Sequence, residues 1–96
     1  MVNPEHLAIL KQGVQVSNNW RSEKPDIRPD LSTADLFGVH LKGAFLLGAN
    51  FESASLSAAN IEGSILWRAN FKKADLKTAN LEEADLFEAK LNTAEI

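Results

Sequence analysis

From Ala34 to Ile96 the sequence reads in fives: ADLFG VHLKG AFLLG ANFES ASLSA ANIEG SILWR ANFKK ADLKT ANLEE ADLFE AKLNT AEI. Thirteen units begin in succession with no break in register. The third residue is Leu in nine of them, Phe at 51 and 71, and Ile at 61 and 96. The first residue is Ala in eleven units, with Val39 and Ser64 as exceptions, and the second is most often Asn or Asp. Five residues advance an α-helix by about 500°, so the large apolar positions would smear around the cylinder. An odd period along one strand would send alternate Leu residues to opposite faces. Within a unit, however, the small first and large third residues are two apart and point the same way. The rest of the unit must turn a corner. Gly38, Gly43, Gly48 and Gly63 stand two places after the large residue, where a turn can use a positive φ.

A second-order pattern sets the number of sides. Phe51 and Phe71 are twenty residues apart, as are Asn60 and Asn80, and Asp35 and Asp75. Twenty residues make four sides, so each coil is close to a square. Backbone hydrogen bonds would join stacked coils at the spacing of paired strands, about 4.8 Å. The expected fold class is an all-β solenoid, a parallel β-helix whose stability is largely a sum of coil and nearest-neighbour terms.

The A(D/N)LXX units resemble the pentapeptide-repeat family over residues 34–96, with 30–33 as a first partial unit. That resemblance implies a right-handed quadrilateral β-helix; the hand comes from the family, not from the periodicity. The start, HLAILKQGVQVSNNWRSEKPDIRPDLSTADL, is similar to the leader found before such repeats in many cyanobacterial members.

Two regions are expected: residues 1–29 as helical cap and linker, and residues 30–96 as about 3.3 coils of repeat. Asn3, Pro4 and Glu5 make a helix start, with Leu7, Leu10 and Val14 at helical spacing. Gly13 separates two short helices, and Pro25 and Pro29 end the helical stretch. A solenoid's ends expose unpaired backbone, so this segment is expected to cover the first coil. The sequence stops at an inward-type residue, Ile96. Leu91 and Ile96 are therefore candidates for end-to-end stacking of two chains, an arrangement the family resemblance supports; a longer protein or frayed last units are the alternatives.

Catalytic constellations are absent. His6 lies in the presumed cap and His40 at an outward second position, and both read as solvated rather than metal-ligating. Glu82 and Glu83 lie on a corner and read as a solvated face. No metalloprotease, phosphate-loop or nucleophile-elbow motif occurs. The expectation is a non-enzyme with no cofactor and no metal. There is no cysteine, the formal net charge is −3, and charged residues make up 24 % of the chain. That balance argues against nucleic-acid binding. The N-terminus has no basic region followed by an apolar run, and no stretch approaches the roughly 18 apolar residues of a membrane span, so the expected location is the cytoplasm.

Sorting outward residues by the twenty-residue coil separates the four faces. Lys42 over Glu62 and Glu52 over Lys72 read as cross-coil ion pairs. One face differs: its fourth positions are Leu47, Trp67 and Phe87, and its second positions are Phe45, Ile65 and Asp85. Phe45, Leu47, Ile65, Trp67 and Phe87 would then share one apolar wall rimmed by Asp85 and Arg68. A patch of this kind marks an interaction site. Its cover could be the N-terminal segment, a second copy or a different protein. The leading function is a protein–protein interaction or scaffold module using this wall or the open C-terminal end, with regulation of another cytoplasmic protein as one form of it. Some family members resemble B-form DNA and bind DNA gyrase. That alternative fits poorly here, because 3.3 coils span only about 16 Å and Arg68, Lys72, Lys73 and Lys77 interrupt any acidic track.

Overall fold

In the computed structural model, which describes residues 1–96, the five-residue period becomes a stack of four-sided coils. Parallel bridges join residues twenty apart along every side: Asp30 to Asn50, Asp35 to Ser55, His40 to Asn60 and Phe45 to Ile65, continuing to Asp75 with Glu95. The third-position N–H donates to the next coil, as from Leu31 to the Asn50 carbonyl at 2.8 Å. The second-position N–H donates back, as from Ser55 to the Ala34 carbonyl at 2.9 Å.

The corners are turns closed by the first-position N–H of one unit and the third-position carbonyl of the unit before, such as Ala54 to Phe51 at 3.0 Å. The fifth residue of every unit carries a positive φ, the requirement of a type II turn at its third position. Glycine supplies it at 38, 43, 48 and 63, but Thr33, Ser53, Ala58, Arg68, Lys73, Thr78, Glu83, Glu88 and Thr93 adopt it too, with φ of 57–61°. The left-handed region costs a non-glycine residue roughly 1–2 kcal/mol, so the stacking must over-determine it. Part of the compensation is local. The side-chain oxygens of Asp35, Asn50, Asn60, Asn70, Asp75, Asn80 and Asp85 each accept the N–H two residues on, at 2.9–3.2 Å. This Asx geometry explains the repeated Asn or Asp at the second position.

Pairing departs from the all-β expectation in one respect. The bridges are isolated and no continuous strand forms. With a corner every five residues, a side is too short for more than its second residue to pair in this way. Inside, the first- and third-position side chains are buried through the upper coils, from Leu31 and Ala34 to Ala74 and Leu76, with Val39 half-buried. The Phe51 and Phe71 rings stack with centroids 4.9 Å apart and planes 1° from parallel. Ser64 keeps the first position small; its hydroxyl is buried and donates to the Ile61 carbonyl at 2.6 Å. Leu81, Leu86 and Leu91, in the lowest coil, are half-buried, and Ile96, the last third-position residue of the stack, is exposed.

Two helices precede the coils, α1 (Pro4–Lys11) and α2 (Val14–Glu23). Asn3 caps α1 by accepting the N–H groups of Glu5 and His6. Gly13, at φ 111°, separates the helices. The segment supplies hydrogen bonds that a further coil would otherwise make. Asn3 N–H donates to the Asp30 carbonyl at 2.9 Å, and His6 Nδ1 accepts the Asp30 N–H at 2.9 Å. The Asn18 amide accepts from Phe45 N–H at 2.8 Å and donates to the Gly43 carbonyl at 3.1 Å. Arg21, itself buried, donates to the carbonyls of Lys24, Ile27 and Leu47. His6 is therefore not merely solvated: a ring nitrogen closes one side of the first coil, and the ring packs on Trp20 at 5.1 Å.

Asp30 ties this cap to a pH dependence. Burial raises its carboxyl pKa, but the Ser32 hydroxyl and N–H, at 2.7 and 3.2 Å, together with the positive charge of the N-terminus, bring it below its ordinary value. A carboxyl depressed in the folded state contributes stability above its unfolded pKa, about 3.9, and loses it as pH falls through the folded value. Urea unfolding is expected to show stability falling below about pH 4, with Asp30→Asn flattening that part of the profile. An identical profile in the variant would remove Asp30 as a source.

Candidate interaction wall

The third side of the coil presents two columns of outward residues in bridge register. Phe45, Ile65 and Asp85 stand at the second positions, and Leu47, Trp67 and Phe87 at the fourth. The five apolar side chains remain 42, 40, 38, 43 and 56 % exposed for Phe45, Leu47, Ile65, Trp67 and Phe87. Together they expose roughly 400 Å² of apolar side chain, within the range of the largest patch on a monomer. Trp67 and Phe87 meet edge to face, with centroids 5.9 Å apart and planes at 67°. The Trp67 indole N–H donates to the Asp85 carboxylate. The aromatic pair is thus held in place while its outer faces stay open.

The N-terminal segment does not cover this wall. The second helix and the linker after it border the wall: Val14, Gln15, Asn18 and Asn19 flank Phe45, and Arg21, Ser22 and the linker's Pro25 flank Phe45 and Leu47. Ile65, Trp67 and Phe87 lie beyond its reach along the stack. The helices close the first coil's backbone, and that geometry holds them at one end.

The wall's two edges differ. On one side run Gly43, Gly63 and Glu83, with the Lys42–Glu62 pair at 3.9 Å on the neighbouring face. The expected Glu52–Lys72 pair does not form. On the other side the corner column is Gly48, Arg68 and Glu88, and Arg68 Nε bonds Glu88 at 2.8 Å. Arg28, twenty residues before Gly48, lies on top of that column, its Nε donating to the Gly48 carbonyl at 3.0 Å. A Cβ on Gly48 would come within 3.1 Å of Arg28 Nε, so the glycine leaves room for the guanidinium. Pro25, Arg28, Leu47, Gly48 and Arg68 line a cleft of about 280 Å³ that joins the apolar wall to the two arginines. No motif in the sequence marks Arg28, although the twenty-residue register carried one coil upstream reaches it from Gly48.

Elsewhere the surface offers little chemistry. No group of three His, Cys, Asp or Glu side chains is placed to hold a metal ion. No helix is long and apolar enough to cross a membrane. His40 is exposed on its face.

Comparison with known proteins gives a consistent picture. The pentapeptide-repeats family matches residues 30–68 and 54–92. No curated protein matches the chain. Among solved structures, it is similar to HetL, a pentapeptide repeat protein involved in heterocyst differentiation regulation in the cyanobacterium Nostoc sp. strain PCC 7120. That match has 36 % identity and a TM-score of 0.41, over 72 % of this chain and 35 % of HetL. A second Nostoc pentapeptide repeat protein matches at 36 % identity with a TM-score of 0.42, over 71 % of this chain and 60 % of that one. One from Cyanothece 51142 matches at 38 % identity and 0.38, over 71 % and 44 %. The chain thus spans less than two thirds of the length of each.

Proposed function

As the chain belongs to the pentapeptide-repeat family, we propose that it is a non-enzymatic protein-interaction module whose contact surface is the apolar wall of Phe45, Leu47, Ile65, Trp67 and Phe87. One observation carries the reading: five large apolar side chains stay open in adjoining columns where the other faces carry mostly polar residues. Exposed aromatics at the centre of a patch are the side chains that contribute most when an interface forms. The regulatory role named for HetL is compatible with such a module, and belongs to that longer protein. A right-handed winding of the coil, as in the family's β-helices, and a cytoplasmic location complete the proposal. The DNA-like alternative gains no support, because Arg28, Arg68 and Lys90 line the cleft beside the wall and adjoining face.

Trp67→Ser tests the reading. The substitution removes the edge-to-face pair with Phe87 and the bond to Asp85, costing about 1 kcal/mol, so the far-ultraviolet circular dichroism spectrum should be retained. Binding to partners captured from the source cell, or a concentration-dependent mass by light scattering, should be lost. A folded variant that keeps the same bound proteins and the same mass would overturn the proposal.

A further inference from the structure

Resting on the wall as the contact surface, we propose that its occupant is a segment of another protein with apolar side chains flanked by a carboxylate, the carboxylate seated between Arg28 and Arg68. Three observations point to this chemistry. First, the wall ends in a cleft that Leu47 shares with both arginines, so one extended segment can reach apolar surface and guanidinium together. Secondly, each arginine is anchored by Nε alone, Arg28 on the Gly48 carbonyl and Arg68 on Glu88, and their terminal nitrogens have no protein partner. Guanidinium groups held this way present a planar fork suited to a carboxylate. Lys90 lines the adjoining cleft of about 380 Å³ with both arginines and Asp30, so three cations face one carboxylate there. Thirdly, both corner columns carry a glutamate in the same coil, Glu83 and Glu88, but only the Glu88 column carries arginines, so a carboxylate is favoured on that edge alone.

The cleft, rather than the area, points to a segment: one extended stretch can lay apolar side chains on the wall and a carboxylate between the arginines. Roughly 400 Å² of apolar side chain is close to the apolar share of the about 800 Å² per partner that a stable interface buries. It is enough for two or three anchoring side chains of a peptide.

The test uses the whole chain and a displayed library of random dodecapeptides as the probe. Peptides are selected on the wild type and then depleted on Trp67→Ser. The expected pool is rich in Trp, Phe and Leu with Asp or Glu to one side. Its binding should weaken about tenfold or more in the Arg28→Gln/Arg68→Gln double variant. In the wild type it should fall as salt rises from about 0.05 to 0.5 M, a readout that does not depend on how the double variant folds. A pool that needs Trp67 but shows no acidic bias and no salt dependence would overturn this inference and leave the wall as the contact surface. Absence of any Trp67-dependent pool would overturn both. A doubling of solution mass that Trp67→Ser abolishes would assign the wall to a second copy and overturn the carboxylate proposal.

Discussion

Phe71→Ala is expected to destabilise the protein by about 3–5 kcal/mol, the range for emptying a buried aromatic site. For a chain of this length that is a fall in melting temperature of about 12 °C or more. Phe71 is fully buried, and its ring lies parallel to that of Phe51 at 4.9 Å. That separation is close to the spacing of paired strands, about 4.8 Å, so the rings stack because the coils do. The cavity has little means of collapsing. Phe71 N–H donates to the Lys90 carbonyl at 2.8 Å, and Asn70 N–H to the Ala49 carbonyl at 2.9 Å, which hold the backbone between the coils above and below. Phe71→Leu installs the commonest residue of the third position and should cost much less, about 1–1.5 kcal/mol. Urea unfolding followed by circular dichroism measures both. A loss under about 1 kcal/mol in the alanine variant would mean that the coils re-close around the gap.

Arg21→Met is the second large effect, about 2–3 kcal/mol. Arg21 is buried, burial lowers its pKa from the ordinary arginine value, and no carboxylate accompanies it. Its charge is met by the carbonyls of Lys24, Ile27 and Leu47, which lie on the linker and the first coil. Methionine fills much of the space but donates nothing, leaving the part-buried carbonyls of Ile27 and Leu47 without this donor, while Lys24 keeps the Ile27 N–H. Arg21→Lys keeps the charge but presents one compact ammonium, which cannot spread over three carbonyls, so it should rescue only part of the loss. Thermal melting reads the stability, and hydrogen exchange at the Phe45 amide, which Asn18 of the same helix accepts, reads whether α2 has detached. Unchanged protection in Arg21→Met would show that the helix is held by other contacts.

Much of this is legible in the sequence. A third position that is always large and apolar, and a first that is nearly always Ala, identify the inward residues. The twenty-residue recurrence of Phe51 and Phe71 sets which residues stack, and the same arithmetic puts Phe45, Leu47, Ile65, Trp67 and Phe87 on one side. Gly38, Gly43, Gly48 and Gly63 mark four corners, but Arg68 and Glu83 occupy the same backbone state without any sign of it in residue type. Corner geometry is imposed there by the stack rather than by local preference.

What the sequence determined by itself is everything that repeats: period, register, core and the outward columns. Periodic positions inherit their surroundings from the backbone, since each coil is placed by the one beside it. Only the tertiary structure decided what does not repeat. The use of His6, Asn18 and Arg21 in place of a missing coil depends on contacts 24–27 residues apart in the chain. The approach of Arg28 to Arg68 across the cleft beside Leu47 depends on how the linker descends onto Gly48. Those contacts follow from the path by which two short helices return to the end of the solenoid, and no period in the sequence specifies that path.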